Sequence, residues 1–293
     1  MHYSNNFLIS FYDKEAVDSN KVGGKAASLG RLYKYFQKFI PSGHSVNSEY
    51  VESILKESNG NIELLIEILN NEKYSSKIKK CFSNETYYAV RSSASGEDGK
   101  KHSFAGQHES FLAVKGYKNI IHSIAKCMIS YYNNRSVLYK KLKNINTDFS
   151  FSVLIQDMIL SSKSGVLFTC NPIDRSSNEV IINSSYGLCD LVVEGKIIPD
   201  TVKFNKKDNS FNYIIGSKKY MNIITVEGIK RIRVPEIKRK VNSLKEFELK
   251  SLINLCLEIE KFFQYPVDIE WAISNNHIYI FQARPITNIK EVI

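Results

Sequence analysis

Residues Phe262 to Thr287 read FFQYPVDIEWAISNNHIYIFQARPIT, two runs of β-branched and aromatic residues around a polar Ser-Asn-Asn-His break. Such a pattern is a β-hairpin. Side chains alternate faces along a strand, so Val267, Ile269, Trp271 and Ile273 share one face and Asp268 and Glu270 the other. In the second run Tyr279, Phe281 and Ala283 alternate with Ile280, Gln282 and Arg284.

Register decides what such a hairpin can present. A three-residue loop, Asn275 to His277, pairs Ser274 with Ile278. It sets Glu270 opposite Gln282 and Asp268 opposite Arg284, and collects the large apolar residues at odd positions on one face. A two-residue loop would mix the faces, so the pattern favours three. The other face then carries two carboxylates, an amide and a guanidinium in one cross-strand neighbourhood. Carboxylate and amide oxygens are hard ligands suited to Mg²⁺ that also holds phosphate oxygens. An arginine beside them suits bidentate phosphate binding. The alternative is an exposed amphipathic hairpin with a surface Asp–Arg pair.

At 293 residues the chain can hold one large or two medium domains, and 43% hydrophobic with 24% charged residues is ordinary for a soluble globular protein. The formal charge of +10 is spread along the chain in short clusters such as Lys238, Arg239 and Lys240. It admits an anionic ligand without indicating nucleic acid. The five cysteines are widely spaced with no C-x-x-C, which reads as reduced thiols in a cytoplasmic protein. No signal peptide or bilayer-spanning apolar run is seen, so no membrane is expected.

In chain order, Phe7 to Phe11 reads as a strand, and Lys21-Val-Gly-Gly-Lys25 opens a helix over about 26–39. Two glycines and a lysine at a helix start can cradle phosphate, although the P-loop spacing is absent and a plain turn is the alternative. Helices start at Asn47 or Ser48 and at Asn61. A strand then runs from Tyr87 into Arg91-Ser-Ser-Ala-Ser-Gly, and a second glycine, Gly106, precedes the strand ESFLAV. Small residues let a backbone close over phosphates and Arg91 supplies charge; a surface hairpin is the alternative. A helix is expected over about 118–143 and a buried strand over 151–160. Ser161 to Gly165 reads as a hinge, 191–204 as a hairpin turning at Glu194-Gly195, and Ser243 to Glu246 as a capping box before a helix to about Phe263.

Taken together, VGGKAASLGRL, VRSSASGED, SFAGQHESFLAV, VLIQDMILSSKSGVLFTCNP, SSYGLCDLVVEGKIIPD and PVDIEWAISNNHIYIFQARPIT resemble the N-terminal nucleotide-binding region of the phosphoenolpyruvate synthase, pyruvate phosphate dikinase and rifampin phosphotransferase family. The resemblance runs in the family's order over nearly the whole chain. It implies an α+β ATP-grasp fold of two lobes with the nucleotide in the cleft between them, an N-terminal lobe over 1–158 and a C-terminal lobe over 159–293. It further implies that Lys25 and Arg91 hold ATP phosphates and that Gly106 and Ser110 belong to a mobile phosphate loop. Gln156 would lie near the adenine, Glu270 and Gln282 would bind Mg²⁺, and Arg284 would take the phosphate tail. Lys25, Arg91 and Arg284 would then stabilise the transferred phosphates.

The sequence also departs from the family. Cys189-Asp190 stands where Gly-Glu is usual, and none of the six histidines has the setting of the family's phosphorylated histidine. Three functions are therefore expected to compete. One is the ATP-binding subunit of a dikinase-like phosphotransferase whose histidine domain is on a separate chain. The others are a free-standing ATP-grasp kinase or ligase acting on a small molecule, and a non-catalytic ATP-binding regulatory module.

Overall fold

A computed structural model describes residues 6–95, 98–99, 102–103, 109–132, 150–174 and 177–286. The chain separates into two compact units, one of Met1–Gln37 and Pro41–Met158, the other of Lys38–Ile40 and Ile159–Ile293. Gly106 and the expected helical residues beyond Tyr132 up to 143 lie outside the described residues.

The first unit is built on a five-stranded antiparallel sheet. Its strands are β1 (Leu8–Ser10), β2 (Gly43–Val46), β3 (Tyr87–Ala94), β6 (Ser110–Lys115) and β7 (Phe151–Asp157), in the order β1-β2-β7-β3-β6. A two-residue pair, β4 (Asp98–Gly99) with β5 (His102–Ser103), lies between β3 and β6 in sequence. One sheet face presents Val46, Tyr88, Val90, Val153 and Ile155 to helices α2 (Ser48–Glu57), α3 (Ile62–Asn70), α4 (Glu72–Cys81) and α5 (Tyr117–Tyr132). These helices return Val51, Ile54, Leu65, Leu69, Ile78 and Ile124, all fully or almost fully buried. Each such side chain contributes about 1.5–3 kcal/mol of hydrophobic free energy. Asparagine starts α2, α3 and α4 alike, since Asn47, Asn61 and Asn71 each accept an orphan backbone N–H through Oδ1, from Glu49, Leu64 and Lys73. The third cap, and α4 with it, went unread in the sequence.

The opposite face of that sheet carries α1. Its helical residues run from Ser19 to Phe36, starting earlier than the sequence suggested because Asp18 caps the first turn through Asn20 N at 2.9 Å. Gly23, at φ 76° and ψ 169°, interrupts the helix. A β-carbon there would lie 1.9 Å from the Ser93 carbonyl oxygen, so only glycine permits this approach to β3.

The second unit is a six-stranded antiparallel sheet. It comprises β8 (Lys163–Phe168), β9 (Glu179–Tyr186), β10 (Asp200–Asn205), β11 (Phe211–Ile214), β14 (Val267–Ser274) and β15 (His277–Pro285), ordered β11-β10-β9-β8-β14-β15. β12 (Tyr220–Thr225) and β13 (Gly228–Arg233) form a separate ribbon. The expected hinge is mostly strand: Lys163 already belongs to β8. The neighbouring serines are tied down, Ser161 and Ser164 to the Gly187 carbonyl and Ser162 to that of Ile273. The expected 191–204 hairpin is instead a helical turn α6 (Asp190–Val193) followed by β10, because Glu194-Gly195 closes the turn rather than joining two strands.

After a turn of helix α7 (Glu236–Arg239), helix α8 (Glu246–Phe263) follows. It is not started by Ser243. Glu248 closes the box by accepting the Lys245 N–H at 2.7 Å, while the Ser243 hydroxyl bonds the Ser184 hydroxyl and its N–H bonds Asp200. Both carboxylate oxygens of Glu248 also hold Lys163 Nζ, joining the helix start to β8.

Asp200 anchors the excursion between β10 and α8. Lys218 is fully buried and donates to Asp200 Oδ1 and to the carbonyls of Gly216, Arg239 and Val241. Asp200 also accepts the N–H groups of Gly216 and Ser243. Removal of both ions from water is costly, and here every proton of the ammonium has an acceptor. Periodicity gave no sign of this network.

Candidate functional site

In the first unit the β-register places three of the residues singled out by sequence, and α1 a fourth. Directly opposed residues of an antiparallel pair share a face. Arg91 is opposite Ser110 on β6 and Leu154 on β7, and Gln156 is opposite Gly43 and Ala89. Arg91, Ser110 and Gln156 therefore lie on the sheet face that bears α1. Lys25 comes from α1 itself and is buried, with Nζ donating to the Ser92 carbonyl at 3.1 Å. The Ser93 hydroxyl, next along β3, accepts the Ala26 N–H at 3.1 Å. The helix restart after Gly23 is thus capped by a strand residue, a contact the Gly-Gly-Lys spacing could not disclose. Gln156 is buried and its amide donates to the Pro41 carbonyl at 3.3 Å.

In the second unit the hairpin places the remaining three. Its loop holds only Asn275 and Asn276, with φ 49° and 60°, so Ser274 pairs with His277 and the three-residue loop is corrected to two. Two consecutive positive φ values are what a tight hairpin turn requires, and asparagine tolerates them. The faces do not mix, because the ladder slips between Glu270 and Trp271 and leaves Phe281 as an extra residue on β15. Near the turn Ile278 and Ile280, not Tyr279, oppose Ile273 and Trp271; beyond the slip Ala283 opposes Ile269. The bulge restores the far end of the hairpin to the expected pairing, Glu270 opposite Gln282 and Asp268 opposite Arg284.

Arg284 Nε and Nη2 both donate to Oδ2 of Asp268, at 2.8 and 2.7 Å. Oδ1 of Asp268 is buried and, among the described residues, has no hydrogen-bond partner. Burial pushes the Asp268 carboxyl above the ordinary carboxylate range; the Arg284 charge and hydrogen bonds oppose that shift and the Glu270 charge adds to it. Gln282 is buried and Glu270 half-buried.

Among the described residues no group of three or more His, Cys, Asp or Glu could hold a metal ion by itself. Two carboxylates, one with an orphaned oxygen, beside an amide nevertheless form an all-oxygen donor set. That set fits Mg²⁺, which takes one or two carboxylates and completes its shell from water and substrate phosphates. Glu270 and Gln282 are the residues that would hold it, with the Asp268 carboxylate beside them.

All five cysteines are free thiols. No described helix is long and apolar enough to cross a membrane. Sequence reasoning assigned nothing to Asn183, Thr201 or Lys203, which share the sheet face of Glu270.

The fold is α+β, with helices packed on antiparallel sheets. The family described as "Pyruvate phosphate dikinase, AMP/ATP-binding domain" matches residues 67–292, and the chain belongs to it. It is 31% identical to a "Probable phosphoenolpyruvate synthase" of Methanocaldococcus jannaschii, over 94% of this chain and 26% of that protein. It is likewise 31% identical to the "Rifampicin phosphotransferase" of Bacillus cereus, over 97% of this chain and 36% of the relative. The chain thus spans about a quarter to a third of the length of these curated relatives. Among solved structures, the D-alanine–D-alanine ligase of Bacillus anthracis is similar at a TM-score of 0.36 and 8% identity, covering 92% of this chain and 62% of the ligase.

Proposed function

We propose that this chain is the ATP-binding part of an ATP-dependent phosphotransferase of the dikinase kind. The observation that carries the reading is the cross-strand pair Glu270 and Gln282 beside the Asp268–Arg284 ion pair, all on one sheet face inside the matched family region. Lys25 and Arg91 bind phosphate oxygens, joined by Ser110, which opens β6 opposite Arg91 and does not lie in a loop, and Gln156 lies at the adenine. Glu270 and Gln282 bind Mg²⁺, and Arg284, oriented by Asp268, binds the phosphate tail. Bound Mg²⁺ supplies positive charge to the phosphate oxygens. The cationic side chains offset charge that develops on the transferred group, which is the main protein contribution in phosphoryl transfer.

The first acceptor in this proposal is a histidine carried on a separate chain. The three histidines whose side chains are described are engaged elsewhere. His44 packs edge-on against Phe82, while His122 and His277 bond the carbonyls of Lys118 and Lys38.

The reading is tested by incubating the protein with β- and γ-labelled ATP, alone and with histidine-bearing candidate proteins, and following each label. Mg²⁺-dependent label transfer that Glu270→Gln abolishes is the expected result. Transfer unchanged in Glu270→Gln would refute the metal assignment. AMP or ADP formed with a small acceptor and no second protein would move the assignment to a free-standing ATP-grasp kinase or ligase.

A further inference from the structure

The sheet of the second unit extends the face of Glu270 well beyond the hairpin. Following directly opposed residues across the strands, one row runs Gln282, Glu270, Val166, Asn183, Thr201. The next row runs Arg284, Asp268, Phe168, Ile181, Lys203. All these pairs are antiparallel, so every member of both rows points to one side. The other side is taken by α8, whose Glu248 holds Lys163 of β8.

Two donors stand on the far half of this face. The Thr201 hydroxyl donates to Asn183 Oδ1 at 2.9 Å, which fixes the amide with its oxygen toward β10 and turns its NH₂ away. Among the described residues neither the Asn183 NH₂ group nor the Lys203 ammonium has a hydrogen-bond or ion-pair partner. Both side chains are half-buried. They sit diagonally on adjacent strands, where Cα atoms are about 7–8 Å apart. Ile181, buried, and Val166, half-buried, floor the ground between them and Glu270. Two strand spacings, about 10 Å, separate the Asn183 and Glu270 backbones.

We infer that Asn183 and Lys203, with Thr201 as the positioning residue, form a second oxyanion subsite on the Glu270 face. Its ligand class is a phosphoryl oxyanion. An oriented amide donor and a cation over an apolar floor bind such a group through charge-assisted hydrogen bonds, and a neutral or cationic ligand would leave the lysine uncompensated. The source is either the terminal phosphate of bound nucleotide or a free phosphate. The inference rests on the reading that Glu270 and Gln282 meet the triphosphate.

The experiment is calorimetric titration of the full chain with MgATP, MgADP and inorganic phosphate. It compares the wild type with Asn183→Ala, Asn183→Asp, Lys203→Met and Thr201→Val, each checked for folding by circular dichroism. If the subsite takes the terminal phosphate, Asn183→Ala and Lys203→Met weaken MgATP roughly tenfold and leave MgADP within about twofold. If it takes free phosphate, the same variants lose phosphate binding and keep both nucleotides. In either case Asn183→Asp is worse than Asn183→Ala, and Thr201→Val has a smaller effect in the same direction. Equal loss of MgATP and MgADP, or no change beyond twofold for any ligand, overturns the inference. A wild type that binds no MgATP sinks the nucleotide reading instead, while its phosphate titration still decides the subsite.

Discussion

Arg284 closes both Nε and Nη2 on a single oxygen of Asp268 and leaves the other oxygen buried, without a partner among the described residues. The geometry orients the guanidinium while keeping one carboxylate lone-pair set uncommitted. Replacement Arg284→Ala leaves both oxygens of Asp268 unpaired in a largely buried place. A loss of about 1–3 kcal/mol is expected, below the range for a fully buried pair because Arg284 is partly exposed. Arg284→Lys should recover part of the stability and little of the MgATP affinity, since the planar fork is lost. Urea unfolding and nucleotide titration of the two variants separate these effects.

Asp268 also predicts a pH dependence. Burial raises its carboxyl above the ordinary 3.8 despite Arg284. The folded protein therefore holds a proton that the unfolded chain has released, and stability from this group falls as pH rises from about 3.8 through the raised value. The amide of the Asp268→Asn variant cannot titrate. The stability difference between wild type and Asp268→Asn should accordingly move against wild type as pH rises through that window. A difference that stays flat in urea midpoints across it would show that the carboxyl is not shifted upward.

Gly23 is expected to tolerate nothing larger. Gly23→Ala combines φ 76° with a β-carbon 1.9 Å from the Ser93 carbonyl oxygen. A cost of about 2–4 kcal/mol follows, with displacement of Lys25 from the Ser92 carbonyl. Gly60→Ala is the control: φ is 72° but nothing lies within 4 Å, so only the backbone cost of about 1 kcal/mol should appear. Denaturant midpoints of the two variants distinguish strain from collision.

Lys218→Met should destabilise by about 3–5 kcal/mol, because Asp200 is left charged and fully buried. The double variant Asp200→Asn with Lys218→Met should recover much of that loss. A single variant as stable as wild type in chemical unfolding would show that the pair is not a tie for the 206–245 excursion.

Arg91→Ala should weaken ATP binding at least tenfold, whereas Lys56→Ala, an exposed lysine of α2 on the opposite side of the same sheet, should change it less than twofold. Equal effects in a nucleotide titration would remove Arg91 from the phosphate role.

The chain itself determined a good deal of this. Alternation in Val267–Ser274 and His277–Pro285 defined a hairpin, and the acidic, amide and guanidinium residues were correctly paired at its far end. Asn47 and Asn61 marked two helix starts because an N-cap is a local interaction of neighbouring residues. Six ordered motifs carried the family resemblance. The loop length was misread because alternation alone counts residues, and a bulge at Phe281 compensates for a shorter turn without leaving a mark in hydrophobicity. Other features were decided only in tertiary structure: the Ser93 cap on α1, the Lys218–Asp200 tie, and the placement of Asn183 and Lys203 on the face of Glu270. Each joins residues distant in sequence through strand order, and strand order follows from long-range pairing that no local period encodes.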